Sequence, residues 1–331
     1  MHYVDESSLL PIIPFLEVAM KSDRIILSGD PCQGEVLLSS EYQHFRGFYG
    51  NESALTFAIA CARAQGPQYM AKHCIFLYTT MRCNAQTADI ISRLWFMEHQ
   101  MISVYNENQA DELRRFKSLS TLLGAAFHDH TVCFLHVEGQ QIPVDRYSSV
   151  NVEESLAVFE LLEAFQALHV QLPPGTSFSV GVISMHRQAA NFIAKYTCDR
   201  MGKLPWLSVE SEATAQGQTY DFTILVLTES TFDDSLCCPN TKDGLLSDAR
   251  HATVALTRHR LGIIIVGNYF RFVQQSSVLS HVLHYLPGSI VFHNSGFPRL
   301  SCSPDVLLAT ELLQSTPDSV ISHRAIETLN L

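Results

Sequence analysis

The sequence lacks several features that define common protein classes. None of its apolar runs reaches 18 residues, so we predict no transmembrane helix and no membrane partner. Its nine cysteines include no C-x-x-C pair, and a structural zinc site is therefore not expected. The opening residues, MHYVDESS, do not resemble a signal peptide. We expect an intracellular protein with reduced thiols, located in the cytoplasm or the nucleus.

Positive charge is also scarce in this chain. The 331 residues include 22 Lys and Arg against 33 Asp and Glu, which gives a formal net charge of −11. A broad basic surface for nucleic acid is therefore not expected, and any cationic site must be local. Arginine outnumbers lysine by 16 to 6. This bias favours local phosphate contacts, because the planar guanidinium can donate two parallel hydrogen bonds.

The composition and pattern that are present indicate an α/β protein. Apolar residues make up 47% of the chain and charged residues 17%, as in a protein with a packed core. Continuous apolar runs alternate with stretches of helical periodicity, which predicts a doubly wound, mostly parallel sheet with strands buried on both faces. The predicted strands are 24–28, 74–78, 132–137, 178–184, 222–227 and 262–266, and the predicted helices are 86–99, 151–171, 186–201 and 247–258.

Two polar motifs follow the first two apolar strands. Val4-Asp5-Glu6-Ser7 follows a short strand that ends at Tyr3-Val4, and Gly29-Asp30-Pro31-Cys32-Gln33 follows the predicted strand 24–28. A helix-sized stretch separates them, so both are expected at the same carboxyl edge of a parallel sheet, where α/β proteins bind ligands. Adjacent carboxylates can divide two tasks there, one binding Mg²⁺ and the other activating a water molecule. Each motif taken alone is more typical of an ordinary exposed turn.

Together with four later segments, these motifs resemble those of superfamily 1 ATP-dependent helicases. DES and GDPCQ are similar to the family's second-strand carboxylate motif and its third motif. The four later segments are FLYTTMRCNA (76–85), FSVGVISMHRQA (178–189), TAQGQTYDFTILVLTES (214–230) and GLLSDARHATVALTRHRLGIIIVGN (244–268). The last is the longest and most specific match. The resemblance covers residues 2–285 and is closest to the branch with the RNA helicases of nonsense-mediated decay, in their AAA-type C-terminal domain.

The resemblance implies the RecA-like P-loop NTPase fold, with ATP and Mg²⁺ as cofactors. It divides the chain into a C-terminal fragment of a first RecA-like domain (1–45), a connector (46–72), a nearly complete second RecA-like domain (73–286) and a tail (287–331). The chain contains no G-x-x-x-x-G-K-[ST], because its one Gly-Lys pair, Gly202-Lys203, is followed by Leu204. We therefore expect that this chain alone does not hold ATP and Mg²⁺ tightly and does not hydrolyse ATP.

The resemblance also assigns roles to individual residues. Asp5 would hold Mg²⁺, Glu6 would activate the attacking water, and Gln33 would sense the γ-phosphate. Arg82 and Arg258 would neutralise charge on that phosphate as arginine fingers. The implied nucleotide-binding residues are Asp5, Gly29, Asp30, Gln216 and Gly217, and the implied contacts to single-stranded RNA or DNA are Ser184 and Arg187.

Ser184 and Arg187 also have simpler interpretations. A helix N-cap would explain Ser184, and an exposed helix cation would explain Arg187. Several other positions depart from the family pattern, namely Met81, Asn84, Ala85, Met185, His186, Ala189, Gln218, Thr219 and His251.

Two functions therefore stay open. The chain is part of an ATP-driven enzyme that translocates on and unwinds RNA or DNA, or it is a non-catalytic, helicase-derived module that binds nucleic acid or protein. In either case a protein partner could supply or cover the missing half-domain. An unrelated doubly wound nucleotide-binding protein is the weakest alternative, because residues 244–268 match the helicase motif so closely.

Overall fold

The computed structural model describes residues 1–33, 53–95, 101–104, 131–144, 148–172, 174–228, 249–274, 282 and 290–292. The chain divides into two compact units, Met1–Tyr78 and Thr79–Leu331, here called unit 1 and unit 2. Among the described residues, no helix has the length and apolar content needed to cross a membrane.

The described part of unit 1 contains two short parallel strands and three helices. Strands β1 and β2 pair in register, with Tyr3 opposite Ile26. Ser53 caps the second helix, because its hydroxyl accepts the backbone N–H of Thr56. The elements are β1 (His2–Val4), α1 (Ile12–Ala19), β2 (Ile25–Leu27), α2 (Ala54–Ala64) and α3 (Pro67–His73).

The apolar side chains of unit 1 are only partly covered. Ile12 and Phe15 of α1 and Leu55 of α2 are buried. Tyr3 and Ile26, which are paired across the two strands, are 62% and 48% exposed. Parallel sheets are normally covered on both faces, so the cover within unit 1 is incomplete on the face with Tyr3 and Ile26.

Unit 2 is built on a six-stranded sheet in the order β12-β5-β11-β10-β8-β9, and every neighbouring pair is parallel. A short parallel pair (β3 and β4) and an antiparallel hairpin (β6 and β7) lie outside this sheet. The strands are β3 (Thr79–Thr80), β4 (Ile102–Ser103), β5 (Val132–His136), β6 (Gln141–Pro143), β7 (Ser149–Asn151), β8 (Val180–Ser184), β9 (Leu207–Ser211), β10 (Tyr220–Val226), β11 (His259–Gly267) and β12 (Ile290–Phe292).

Helices cover both faces of this sheet, and alternate strand residues enter two separate cores. Phe222, Ile224 and Val226 of β10 pack with α5 and α6, whereas Leu225 of the same strand packs with α4 and α8. The predicted doubly wound α/β fold is therefore confirmed. The helices are α4 (Ala85–Trp95), α5 (Val152–Gln171), α6 (Arg187–Met201), α7 (Glu212–Ala215), α8 (Ala249–Leu256) and α9 (Tyr269–Gln274).

One predicted strand is wrong. Residues 74–78 are not a strand, although their apolar run resembles the buried strands of the sheet. Ile75 and Leu77 are 89% and 88% exposed, and the strand begins only at Thr79. Its neighbour β4 offers just two residues for pairing. The other five predicted strands are found, four of them within a residue or two of the predicted bounds, and β11 begins three residues early at His259.

Candidate functional site

The two polar motifs of unit 1 meet at the carboxyl ends of β1 and β2. The hydroxyl of Ser28 donates to Oδ1 of Asp5, and the backbone carbonyl of Ser28 accepts the N–H of Ser7 at 2.8 Å. A side chain at Gly29 would place its Cβ 3.1 Å from the backbone nitrogens of Ser7 and Ser8. The predicted shared edge is confirmed, and glycine permits this close approach.

Asp5 has the charge that a cation site needs. It is exposed, and its pKa is lowered by the hydrogen bond from Ser28 and then by the N–H of Glu6, which donates at 3.0 Å. Mg²⁺ keeps several waters and needs only one or two protein carboxylates. Asp5 therefore fits a water-rich Mg²⁺ site. No group of three or more His, Cys, Asp or Glu side chains suited to a metal occurs in the described ranges.

Glu6 has an unusual backbone conformation. Its φ is +49°, in the left-handed region that side chains other than glycine, asparagine and aspartate seldom adopt. Strain of this kind concentrates at functional sites. Its side chain is exposed beside Asp5, where a general base could reach a water molecule.

Asp30 organises the second motif. Its Oδ2 accepts Nε2 of Gln33 at 2.8 Å, and its Oδ1 accepts the N–H of Cys32 at the same distance. Burial, followed by the nearby charge of Asp30, raises the pKa of the Cys32 thiol to about 12. Asp30 thus orients Gln33 at the strand end, and the cysteine stays protonated.

The two predicted arginine fingers of unit 2 lie near one thiol. Arg82 is half-buried in the turn after β3, and Arg258 is buried between α8 and β11. Burial raises the pKa of the Cys83 thiol, while the positive charges of Arg82 and Arg258 lower it. Arg258 is 1% exposed. Its Nε donates to the carbonyl of Val254 at 3.0 Å, and its Nη2 donates to the Thr257 hydroxyl at 2.8 Å.

Hydrogen bonds hold the turn containing Arg82 against the start of β11. Asn84 Nδ2 donates to the carbonyl of Leu261 at 3.3 Å, and Thr87 Oγ1 lies 2.8 Å from Nε2 of His259. Asn84 Oδ1 also accepts the N–H of Thr87, which caps α4. The departure from the family pattern at Asn84 therefore has a structural role.

His259 is neutral in this environment. It is fully buried, and burial together with the charge of Arg258 lowers its pKa to about 3. A protonated imidazole beside a buried guanidinium would carry a large desolvation and repulsion cost.

Gln216 and Gly217 form a tight turn before β10. Gly217 has a φ of +83°, and the N–H of Gln218 donates to the carbonyl of Ala215 at 3.1 Å. The turn precedes β10, whose first residue, Tyr220, donates its N–H to the carbonyl of Arg258. The turn and Arg258 therefore share the amino edge of the six-stranded sheet.

A carboxylate–imidazole contact links the same turn region to α8. Glu212 Oε2 lies 3.0 Å from Nδ1 of His251. His251, at a position where the helicase pattern has arginine, thus contacts a carboxylate of the turn region.

Ser184 and Arg187 lie at the opposite, carboxyl edge of the sheet. Ser184 ends β8 and is fully buried, and its hydroxyl accepts the N–H of His186 at 3.2 Å. His186 is the N-cap of α6, so the alternative of Ser184 as the N-cap is wrong. Arg187 is exposed on the first turn of α6. Unit 2 therefore separates the nucleotide candidates from the nucleic-acid candidates.

One buried carboxylate near this carboxyl edge was not predicted from the sequence. Glu154 is 0% exposed, and its Oε2 accepts the N–H of Thr228 at 2.7 Å. The pattern Asn151-x-x-Glu154 before an apolar helix resembles a capping box and could have indicated it. No comparable sequence pattern marks Thr228.

Residues 60–269 match the family AAA_12, described as an AAA domain. No curated protein sequence matches this chain.

Similar structures include the C-terminal domain of a possible DNA helicase from Lactobacillus plantarum WCFS1. It has a TM-score of 0.36 and 10% identity over 65% of this chain and 99% of that one. A structure of PRRSV helicase has a TM-score of 0.38 and 16% identity over 82% of this chain. A second structure, of PRRSV nsp10 (helicase), has a TM-score of 0.25 and 16% identity over 82% of this chain. The chain spans 35% and 37% of those two PRRSV chains.

The matched family segment covers more than half of the chain and includes nearly all of the six-stranded sheet of unit 2. The parallel order of the sheet and its helices on both faces agree with a RecA-like fold. The protein is therefore a member of the AAA_12 family with a RecA-like α/β fold.

Proposed function

We propose that this chain is a helicase-like component that acts on single-stranded RNA or DNA, within the superfamily 1 branch that resembles the helicases of nonsense-mediated decay. The observation that carries the proposal is the division of unit 2 into two polar edges. Arg258 and the Gln216-Gly217 turn lie at the amino edge, and Ser184 and Arg187 lie at the carboxyl edge.

Unit 1 would provide the carboxylates for phosphoryl transfer. Asp5, ionised by its hydrogen bonds, would hold Mg²⁺, which neutralises charge on the phosphates. Glu6 would accept a proton from the attacking water, and Gln33 would be held by Asp30 to contact the γ-phosphate. Gly29 would keep the two motifs close together, because its missing side chain lets the backbone of Ser7 and Ser8 approach.

Unit 2 would provide the guanidinium groups. Arg82 is already half-exposed, whereas Arg258 would have to leave the carbonyl of Val254 and the hydroxyl of Thr257 to reach a phosphate. Since the chain has no P-loop lysine, we propose that it does not bind ATP and Mg²⁺ tightly by itself. We further propose that a protein partner supplies or covers the phosphate-binding part of the nucleotide site, which residues 1–331 do not contain.

Nucleic-acid binding would depend on local contacts. The net charge of −11 opposes broad electrostatic attraction to nucleic acid. Ser184 and Arg187 would therefore make a few local contacts to phosphates, whatever the base sequence. An intracellular location, in the cytoplasm or nucleus, agrees with such a ligand.

A non-catalytic, helicase-derived binding module is the second candidate. Two observations favour it. Arg258 is hydrogen-bonded to Val254 of α8 and to Thr257. Asn84, which departs from the family pattern, caps α4.

Two binding measurements test these candidates on the full chain. Fluorescence anisotropy with a labelled oligouridylate and a labelled oligothymidylate should show salt-dependent binding, and its absence at low salt would contradict the proposed function. Titration calorimetry with ATP and Mg²⁺ should show no tight binding. Micromolar ATP affinity would contradict the non-catalytic candidate.

A further inference from the structure

Two residues other than glycine have positive φ in the described part of the chain. Glu6 has a φ of +49° and Thr228 has a φ of +65°. A β-branched side chain makes this conformation especially unfavourable, because its methyl and hydroxyl groups crowd the backbone. Glu6 is predicted to activate the attacking water, whereas Thr228 has no predicted role that would explain its backbone conformation.

Thr228 follows the carboxyl end of β10, where the chain leaves the sheet. Its backbone N–H donates to Oε2 of Glu154 at 2.7 Å, across 74 positions of sequence. The other oxygen of Glu154, Oε1, accepts Nδ2 of Asn151 at 3.0 Å. The N–H of Glu154 donates to Oδ1 of Asn151, also at 3.0 Å. One fully buried carboxylate therefore joins the first turn of α5 to the exit of β10.

This buried network fits tightly beside the loop after β5. A Cβ placed on Gly139 would lie 2.5 Å from Oδ1 of Asn151. The capping group is thus enclosed and has little room for another arrangement. Glu154 holds Thr228 in a conformation that the isolated chain would avoid.

The exit of β10 is next to the candidate nucleic-acid contacts. β10 pairs with β8, with Val226 opposite Ser184, and the N–H of Met185 donates to the carbonyl of Val226 at 3.1 Å. Thr228 is two residues beyond that pair. A shift of Thr228 would therefore move the end of β10, which contacts the short turn that joins Ser184 to Arg187.

We propose that Glu154 is a positioning residue for nucleic-acid binding, which keeps Thr228 in its left-handed conformation and so fixes the carboxyl edge between β10 and β8. This inference rests on the proposed function. Thr228 lies two residues beyond Val226, whose carbonyl accepts the N–H of Met185 in the β8–α6 turn. That turn leads into Arg187, which would contact a phosphodiester strand.

The test compares three variants of the full chain in the same anisotropy assay, with an oligouridylate of about 12 nucleotides, within the range of known single-strand site sizes. Glu154→Gln replaces one acceptor oxygen by an NH₂ group, which cannot accept the hydrogen bond of the Thr228 N–H or of the Asn151 amide. Thr228→Gly relieves the strain and frees the exit of β10. Glu153→Gln is the matched control, because Glu153 is exposed in the same helical turn and its loss removes the same charge.

We expect opposite signs for the two glutamate variants. Glu153→Gln should bind as tightly as wild type or slightly more tightly, because one negative charge is gone. Glu154→Gln should bind about tenfold more weakly, and Thr228→Gly also more weakly although its melting temperature stays equal or rises. That combination separates positioning from a general loss of stability.

The outcomes distinguish two kinds of failure. If wild type binds the oligonucleotide and both Glu154→Gln and Thr228→Gly bind equally well, the role of Glu154 is overturned and the proposed function stands. If wild type does not bind at all, the proposed function fails and the inference fails with it. If Thr228→Gly binds normally and only Glu154→Gln is weak and less stable, Glu154 has a purely structural role and the inference is also overturned.

Discussion

Units 1 and 2 both place polar groups at the ends of parallel strands, but they support those groups very differently. In unit 1 the strands have three residues each, and Tyr3 and Ile26 face outward. In unit 2, β10 and β11 have seven and nine residues, and Ile224 and Ile265 are fully buried within the sheet. The comparison indicates that a well-packed core supports the candidate site residues of unit 2. The carboxylates of unit 1 are supported by a smaller core with more exposed side chains.

The largest expected difference is in amide hydrogen exchange. Amides of β10 and β11 should exchange ~10³-fold or more slowly than those of β1 and β2, because exchange from buried central strands needs near-global opening. Mass spectrometry of peptic peptides from the full chain measures both sets together. Equal protection of the two sets would refute the contrast.

A matched pair of isoleucine substitutions sharpens the comparison. Ile265→Ala removes a fully buried side chain from the core between β11 and its helices and should cost about 2–5 kcal/mol in unfolding free energy. Ile26→Ala, at a side chain 48% exposed, should cost about 1 kcal/mol or less. Urea titration followed by circular dichroism gives both values, and similar losses would show that unit 1 is packed as well as unit 2.

We expect His259 to make the unfolding free energy of unit 2 depend on pH. Its pKa is about 3 in the folded chain, below the ordinary value of 6.5. Between these two pH values the imidazole is protonated in the unfolded chain and neutral in the folded chain. Stability contributed by His259 is complete above pH 6.5. It should decrease as the pH drops from there toward 3, because only the unfolded chain takes up the proton in that range.

The variant His259→Gln isolates that contribution. It removes the titrating group while keeping a polar side chain near Thr87, so its unfolding free energy should be lower at pH 7 but less dependent on pH. Parallel pH profiles for wild type and variant would contradict the assignment.

The smallest expected effect concerns the surface of α6. Arg187→Ala should weaken oligonucleotide binding about threefold and reduce the slope of binding against salt by about one, as for a single phosphate contact. Arg200, exposed at the other end of α6 and stacked over Tyr196, is the charge-matched control. Equal losses for Arg187→Ala and Arg200→Ala would indicate only a long-range charge effect.

The sequence predicted most of unit 2 because its strands are continuous apolar runs and its helices have clear periodicity. It failed at residues 74–78, since Ile75 and Leu77 follow the same apolar pattern as a buried strand while lying exposed. Burial depends on neighbouring strands, which a local pattern does not contain.

The candidate site was predictable only in part. Asp5 and Gln33 could be placed at one edge because both follow strands separated by a helix. The left-handed conformation of Thr228 had no such basis, because no glycine or asparagine marks that position. The burial of Arg258 was also hidden, because an arginine in a loop between helix and strand is usually exposed.

Phosphate release from ATP by the full chain, with and without single-stranded RNA or DNA, tests the central proposal most directly. The chain has the carboxylates Asp5 and Glu6 and the guanidinium groups Arg82 and Arg258, but no Gly-Lys-[Ser/Thr] loop to hold the β- and γ-phosphates. We expect no turnover above background, for wild type and for Glu6→Gln alike. Robust turnover by wild type that Glu6→Gln abolishes would contradict this account.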